Sequence, residues 1–574
     1  MKKLFLITAI LTAIVCTVVF AGCDTKKSPS NSTSTTTADD SLAENPAADA
    51  SEIFDGVPEP TGEFRIETSD GTYASEGNVY TLTSAGTYTL SGALTGQILV
   101  NAGEDDEVVI ELNGASIAYG SDSPIMVVCA DKVEISAKKD TVNYVKDTRT
   151  AKTEDLESQG EGAISANADL KLKGSGILIV EAGYNNGVHT TKDLTLQKLS
   201  MKVTAVNNAI KGKDSLTFKS GTFVLISKKG DGVKTEDTDL SSKGNQRGTI
   251  SIADGSVTIY AAGDAVQASY DFEMAGGSLT LYTGSYSSYT ASDASTTSYK
   301  GVKAGNEVKI SNGTLKICSY DDGLHADYGT NLENGNKGLG NITISGGKIT
   351  IGVYSPEKST AMGRTVRGGF GGDRGNFGNW SGQQSVTGSD AIHADNTLTI
   401  SGGTIDIDSA YEGLEATHLL IQGGTTTVFA TDDGVNAARK ADNSPSILVS
   451  GGTLDVTVPS NGDTDGIDSN GTYKQTGGFV ITRGPGSASG GQGGGAFAMD
   501  TDGGITLQGG TLAVFGGMEG SLSISGTTKT LCSSSTVSAG NHTLSIGGKN
   551  YDVELKYSTN GCVVYSASGS ATLK

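Results

Sequence analysis

Two carboxylates and an imidazole lie within six residues at 321–326, which read Asp-Asp-Gly-Leu-His-Ala. Variants of this phrase recur at 389–394, 411–416 and 432–437, and each keeps an acidic residue directly before the small residue at its centre. Carboxylates in such a pattern can hold a divalent cation or can work as an acid–base pair. The elements that carry the phrase decide whether its copies meet in space.

The spacing of the copies indicates a repeat architecture. Gly301 and Gly323 are 22 residues apart, as are Ala391 and Gly413, and Gly434 follows Gly413 by 21 residues. Such a period in a chain with 81 glycines and few helix-like stretches is typical of a stacked solenoid. Within each copy an apolar, a polar and a small residue alternate, which is the period of a strand.

Two further alternating runs follow in each repeat and are separated by Gly-Gly turns, as at 402–403 and 423–424. Three short strands per 21–22 residues predict an all-β fold, a right-handed parallel β-helix of stacked coils. Regular coils are expected within residues 56–520, and a C-terminal β cap within 521–574.

The position directly before the central small residue of each phrase carries the charge. Equivalent residues of neighbouring coils of a β-helix lie about 4.8 Å apart, and two carboxylates at that distance repel by about 3 kcal/mol at an effective dielectric near 20. Lysines can offset this repulsion in the N-terminal coils, namely Lys211, Lys234, Lys300 and Lys303. From Asp321 onward the lysines leave the column while the acids remain, which favours a hard divalent cation with oxygen ligands.

Charge and the N-terminus restrict the partners. The formal net charge of −22 argues against nucleic acid. Residues 1–23 read as a bacterial lipoprotein signal in which Cys23 is lipidated, and 24–55 as a disordered Ser/Thr-rich linker. The mature protein is therefore expected to be a monomer, lipid-anchored on the extracellular face of the bacterial membrane.

The longest insertion, 354–388, gathers arginine and aromatic residues among glycines. A sugar ring stacked on Trp380 with Arg367 binding a carboxylate is one interpretation, and a mobile loop packed on the outside of the coils is the other. Near the C-terminus Cys532 and Cys562 share the cap, and the sequence leaves open whether they are bridged.

The signal, the linker, the Asp-Asp-Gly-x-His-Ala coils and the Gly-rich insert together resemble the carbohydrate-binding β-helix lipoproteins of clostridial-type bacteria. The resemblance implies a polysaccharide-lyase-like fold, bound Ca²⁺, and association with acidic plant polysaccharide (polygalacturonate) and with cellulose. Carried over by position, it implies a set of calcium ligands: Asp321, Asp322, Asp390, Glu412, Asp432, Asp433 and Asp465. We add a set of sugar-contacting residues: Lys303, His325, His393, Arg367 and Trp380.

Two other functions remain open. A calcium-dependent pectate lyase needs a strong base beside the cation, and Arg439 is the one arginine close in sequence to the acidic column. A polygalacturonase-like hydrolase would use paired acids such as Asp321 and Asp322, but the Arg-x-Lys group of such enzymes is missing. A purely structural rod with a solvated acidic face is the third reading. We favour a non-catalytic binding protein, in which calcium in the acidic column bridges to uronate carboxylates.

Overall fold

A computed structural model describes residues 53–151, 159–284, 298–333, 335–353, 388–459, 464–486 and 496–574. Several predictions fall outside these residues: the signal peptide, Cys23, nearly all of the linker, Arg367 and Trp380. The described chain is all-β, with no helix, and the predicted all-β class is confirmed. It accordingly has no helix with the length and apolar character needed to cross a membrane.

Parallel pairing joins the strands of successive repeats. Leu324 is the register partner of Val302 and of Ile392, and Ile392 is in turn the partner of Leu414. These apolar side chains are fully buried, as the alternation of apolar, polar and small residues in the phrase predicts. Three such parallel ladders run along the chain, so each repeat contributes strands to all three.

The first ladder contains the strands of the recurring phrase. Its members are Val79–Leu82, Gln97–Asn101, Ile125–Cys129, Gly162–Ala166, Asn186–Thr190, Ile210–Gly212, Val233–Lys234, Val266–Ala268, Val302–Ala304, Leu324–Ala326, Ile392–Ile400, Leu414–Ile421, Val435–Ala437, Ile467–Ser469 and Asp500–Thr501. Because every member is aligned with the next, residues of one sequence column form a continuous row.

The second ladder follows the phrase in each repeat and shares the long strands Ile392–Ile400 and Leu414–Ile421 with the first. Its other members are Gly86–Thr95, Glu107–Tyr119, Lys132–Ala137, Asp169–Gly174, Leu194–Ala205, Leu216–Ser227, Ile250–Ile252, Asp271–Met274, Glu307–Ile310, Asn341–Ile344, Ser446–Val449, Thr472–Gln475, Ile505–Leu507 and Leu522–Ile524.

The third ladder begins after the Gly turn and shares Glu107–Tyr119, Leu194–Ala205 and Leu216–Ser227 with the second. Its other members are Val142–Asp147, Ile177–Ala182, Ser256–Ala261, Ser278–Thr283, Thr314–Ser319, Lys348–Val353, Thr404–Ser409, Thr425–Phe429, Thr453–Thr457, Phe479–Arg483 and Thr511–Phe515. The turn before many of these strands needs a left-handed residue, and Gly403 and Gly424 provide it with φ of 85° and 76°.

Antiparallel pairing marks both ends of the described chain. At the start, Arg65–Thr68 pairs with Gly86–Thr95, and Tyr73–Glu76 pairs with Val79–Leu82. At the end, Thr559–Ser566 pairs antiparallel with Thr511–Phe515, the last strand of the third ladder, and with Thr528–Val537. A separate sheet follows, made of Gly540–Ile546, Lys549–Leu555 and Ala571–Leu573. Parallel stacking therefore continues to Leu522–Ile524 before the pairing changes direction.

A glycine at the centre of the phrase allows neighbouring repeats to approach closely. A Cβ at Gly413 would lie 2.2 Å from Val428 Cγ1 and 2.4 Å from the carbonyl oxygen of Gly434. One contact is with the interior of the coil and the other with the backbone of the next coil. The interior at this position is thus already filled.

We expect Gly413→Ala to lower the apparent melting temperature, since the added methyl group over-packs a buried position at a cost of about 1–3 kcal/mol. Thermal unfolding followed by circular dichroism measures the change. Gly103→Ala is the control, because Gly103 is exposed and its Cβ would meet only the Asp106 carboxylate, at 3.2 Å. Equal melting of the two variants would contradict the close approach.

Candidate functional site

The first ladder aligns the polar residues of successive phrases into one row, here called the polar row. Register pairs link each member to the next along seven repeats. The members in order are Lys303, His325, His393, Glu415, Asn436, Asp468 and Asp500. The row changes from basic to acidic along the chain, so its two ends offer different chemistry.

A second row runs beside it and consists of the residues just before the centre of each phrase, here called the acid row. Asp322 Oδ1 accepts the backbone N–H of Asp390 at 2.8 Å, and Asp433 Oδ1 accepts that of Asp465 at 3.0 Å. These four side chains are buried. The predicted acids therefore share one side of the coils, and each bond ties one coil to the next.

Neutral amides make the same bond in the N-terminal repeats. Asn208 N donates to Asn186 Oδ1 at 3.2 Å, and Asp231 N donates to Asn208 Oδ1 at 2.8 Å. The acid row was predicted only from the repulsion between its carboxylates, and this hydrogen-bonding role was not predicted. The interchange of Asn and Asp in one column was the available signal, since both side chains offer an oxygen acceptor.

Two lysines, Lys300 within the row and Lys440 from outside it, neutralise its middle part. Lys300 Nζ lies 3.3 Å from Asp321 Oδ1 and also pairs with Asp322. Although burial opposes it, the charge of Lys300 lowers the pKa of Asp322 well below its ordinary value. Lys440 Nζ lies 3.3 Å from Glu415 Oε1. The lysines therefore do not leave the acidic region after Asp321, because Lys440 returns from the loop that follows the phrase.

Two histidines of the polar row stack on each other, with ring centroids of His325 and His393 4.6 Å apart. Nδ1 of His325 lies 2.8 Å from Asp322 Oδ2, and Nδ1 of His393 lies 2.7 Å from Asp390 Oδ2. On the other side, the Nε2 atoms lie 2.9 Å from Asp327 Oδ1 and 3.1 Å from Asp395 Oδ1. Every ring nitrogen thus faces a carboxylate of this chain rather than an open surface for sugar.

Charge in this region is tightly coupled. Burial of His393 opposes protonation, but its contacts with Asp390, Asp395 and Glu415 raise its pKa well above the ordinary value. The reciprocal contact with His393, against the effect of burial, lowers the pKa of Glu415 to about 2. The middle of the two rows is therefore an ionic network.

Two further groups each bring three carboxylates together. Oxygen atoms of Glu412, Asp432 and Asp433 all lie within 4.8 Å of one another. Burial, and then the charges of Glu415, Asp390, Asp433 and Asp432, raise the pKa of Glu412 well above its ordinary value. Mutual repulsion among carboxylates is thus a property of this group.

The second group contains Asp465, Asp468 and Asp500, again with oxygen atoms within 4.8 Å of one another. Asp465 was among the predicted calcium ligands, whereas Asp468 and Asp500 were not. Residues 498–501, Ala-Met-Asp-Thr, keep the small–apolar–polar–small order of the phrase and could have revealed Asp500. The insertion before them breaks the period and hides the copy.

Arg439, the candidate base for a lyase, lies outside the acid row. Its Nη2 donates to the Asn470 carbonyl oxygen at 3.1 Å and lies 3.7 Å from Asp502 Oδ2. Lys303, at the basic end of the polar row, is half-buried and lies 3.5 Å from Asp327 Oδ2.

Comparison with known proteins assigns the chain to a family. A family model described as carbohydrate-binding domain-containing protein matches residues 76–353, 335–434 and 377–563. The chain belongs to this carbohydrate-binding domain family. The matched segments include the three ladders, the acid row and the polar row, so the candidate site lies within the family region.

One relative and one solved structure are similar to parts of this chain. A carbohydrate-binding domain-containing protein of Acetivibrio thermocellus is 33% identical over 197 residues, which are 34% of this chain. The chain spans 62% of that relative's length. The structure of a polysaccharide lyase-like protein from C. thermocellum, a gadolinium derivative, is 27% identical and covers 44% of this chain and 94% of its own, with a TM-score of 0.39.

We expect Asp433→Ala to lower the apparent melting temperature, because it leaves the buried N–H of Asp465 without its acceptor at a cost of about 1–3 kcal/mol. Asp433→Asn is the matched variant and should melt close to wild type, since Asn keeps Oδ1. Thermal unfolding in the presence of a chelator isolates this effect from any bound cation. If both variants melt alike, the stacking role of the acid row is wrong.

Proposed function

We propose that this protein is a non-catalytic, calcium-dependent binding protein for acidic plant polysaccharide, with polygalacturonate as the first candidate and cellulose as a further partner. Membership of the carbohydrate-binding domain family supports the carbohydrate part. The observation that carries the calcium part is the pair of all-carboxylate groups at the acidic end of the two rows.

The donor set fits calcium. Both groups offer only oxygen atoms, which are the ligands that Ca²⁺ takes in proteins, six to eight at a time and at about 2.3–2.6 Å. Burial and then repulsion by neighbouring carboxylates raise the pKa of Glu412, and a divalent cation would relieve the repulsion. Glu412, Asp432 and Asp433 would form one site, and Asp465, Asp468 and Asp500 the other.

Of the other ligands that the resemblance implies, Asp321 and Asp322 pair with Lys300, and Asp390 orients His393. We therefore assign calcium to the far end of the rows rather than to their whole length. The assignment follows from the donor atoms, because lysine and histidine nitrogens contact the acids in the middle of the rows, whereas carboxylates lie close together at the far end.

Calcium held at these sites would supply positive charge to which uronate carboxylates bind, and this overcomes the repulsion expected from a chain of net charge −22. The residues of the chain hold the charge in a line, because the first ladder stacks them at about 4.8 Å per coil. A polymer with regularly repeated carboxylates suits such a line. Lys303 at the opposite end can add a direct ion pair.

We further propose that the three ladders wind as a right-handed parallel β-helix within 56–520, capped by 521–574. Three aligned parallel ladders with strands about one repeat apart are what such coils require. The calcium sites then lie along one side of a rod, where an extended polysaccharide can contact several coils at once.

Calcium removal should abolish binding to polygalacturonate. We expect affinity electrophoresis in polygalacturonate gels to show retardation with Ca²⁺ and none with chelator. Asp432→Asn and Asp500→Asn, which leave the stacking bonds of the acid row intact, should each weaken calcium binding about tenfold or more in calorimetry, since fewer charged ligands remain. Glu104→Gln, an exposed acid outside both rows, is the control.

The two parts of the proposal fail separately in this experiment. Absence of calcium binding to the wild-type chain would overturn the metal assignment. Calcium binding with unchanged retention in chelator would overturn the bridging role and leave the metal sites in place.

We also propose that the protein is lipid-anchored through Cys23 and that residues 24–55 hold the coils away from the membrane. Small residues before Cys23 and the polar linker after it support this. Cys23→Ser should prevent incorporation of a palmitate label and move the protein from the membrane to the soluble fraction. A labelled, membrane-bound Cys23→Ser variant would contradict the anchor.

A further inference from the structure

The outer side of the stacked histidine pair gathers two imidazoles and two carboxylates that the calcium sites do not use. Nε2 of His325 faces Asp327 Oδ1 at 2.9 Å, and Nε2 of His393 faces Asp395 Oδ1 at 3.1 Å. His325 and His393 are register partners in adjacent coils. The donor atoms of His325, Asp327 and Asp395 lie within 4.8 Å of one another, and His393 of the neighbouring coil reaches this group through Asp395.

Both nitrogens of each ring face acceptors, which sets a chemical requirement. A neutral imidazole has one N–H and one lone pair, and an ionised carboxylate only accepts. When Nδ1 of His325 donates to Asp322, the lone pair of Nε2 points at Asp327. A cation must lie between these atoms, either a proton or a metal ion.

The separations suit a metal ion. Two ligands of a tetrahedral zinc ion with bonds of about 2.0–2.1 Å are about 3.3 Å apart. The observed distances of 2.9 and 3.1 Å are within a few tenths of an ångström of that value. The donor atoms of His325, Asp327 and Asp395 all lie within 4.8 Å of one another. Small side-chain movements would accommodate an ion.

From this geometry we propose that His325, Asp327 and Asp395 form a binding site for a transition-metal ion, with Zn²⁺ as the preferred occupant and His393, whose Nε2 lies 3.1 Å from Asp395 Oδ1, moving in as the fourth ligand. Imidazole and carboxylate together suit zinc, whereas Ca²⁺ takes oxygen ligands. The site is distinct from the two all-carboxylate groups and does not depend on the calcium proposal.

Each proposed ligand is already oriented by a further contact. The Nδ1 atoms of His325 and His393 donate to Asp322 and Asp390, the carboxylate–histidine arrangement that fixes metal-binding imidazoles. Asp395 Oδ2 accepts the backbone N–H of Tyr328 at 2.9 Å.

Asp327 is held in the same way, since its Oδ2 lies 3.5 Å from Lys303 Nζ. His325, Asp327 and Asp395 thus each have a second contact that holds the side chain in place. These outer contacts distinguish the cluster from a chance group of surface acids. Asp322 and Asp390, which lie outside the two proposed calcium sites, orient the histidines.

Calorimetric titration of chelator-treated, full-length protein with Zn²⁺, in saturating Ca²⁺, tests the proposal. We expect one zinc ion bound per chain, and at least tenfold weaker binding in His325→Ala and in His393→Ala. Asp322→Asn should weaken zinc binding about 10–100-fold through the orienting contact alone. Co²⁺ added to the apoprotein should give the intense visible bands of tetrahedral coordination.

Matched variants separate this site from other zinc ligands. His418→Ala removes a histidine that contacts Asp442 and Ser446 outside the cluster, and it should leave zinc binding unchanged. Cys532→Ser tests the thiols of the C-terminal sheet and should also bind zinc normally. Circular dichroism confirms folding, and Asp395→Asn gives a second test on the outer side if a histidine variant does not fold.

Three outcomes would overturn the proposal. The first is absence of zinc binding to the wild-type chain. The second is undiminished zinc binding in folded His325→Ala, His393→Ala and Asp395→Asn. The third is loss of zinc binding in Cys532→Ser or His418→Ala with retention in the cluster variants.

Discussion

One hydrogen bond explains much of this molecule: in many repeats a side-chain oxygen accepts the backbone N–H of the equivalent residue in the next repeat. Asp322, Asp433 and Asp465 all make this bond. Because the position requires a short side chain with an oxygen acceptor, it selects Asp or Asn, and repeated Asp produces a line of charge. The acidity of the row is thus partly a consequence of how the coils stack.

The chain deals with that charge differently along its length. Lys300, His325 and His393 balance the carboxylates in the middle repeats, where every basic group lies between acids. Further on, the same two columns bring together groups of three carboxylates, with the Asn436 amide donating to Glu412. A single repeated scaffold therefore presents nitrogen-containing and oxygen-only donor sets side by side, since one substitution in the polar row changes the chemistry of a coil without altering its backbone.

The sequence predicted the alignment of residues at the same position of successive repeats, but it did not predict contacts between residues at different positions. The period and the alternation predicted the buried Leu324 and Ile392 and the alignment of His325 with His393. They could not show that Lys440 returns from a loop to Glu415, because nothing in the period fixes the path of a loop. The stacking bond was also missed, since its donor is a backbone N–H that every residue carries, and the interchange of Asn and Asp was its signal in the sequence.

The reversal of strand direction at the C-terminus bears on assembly. A stack of parallel strands has an exposed edge at its end, to which another chain can add in the same way as the next coil. Here Thr559–Ser566 runs antiparallel along Thr511–Phe515 and occupies that edge of the third ladder. Head-to-tail addition of another chain at this edge of the third ladder is therefore blocked.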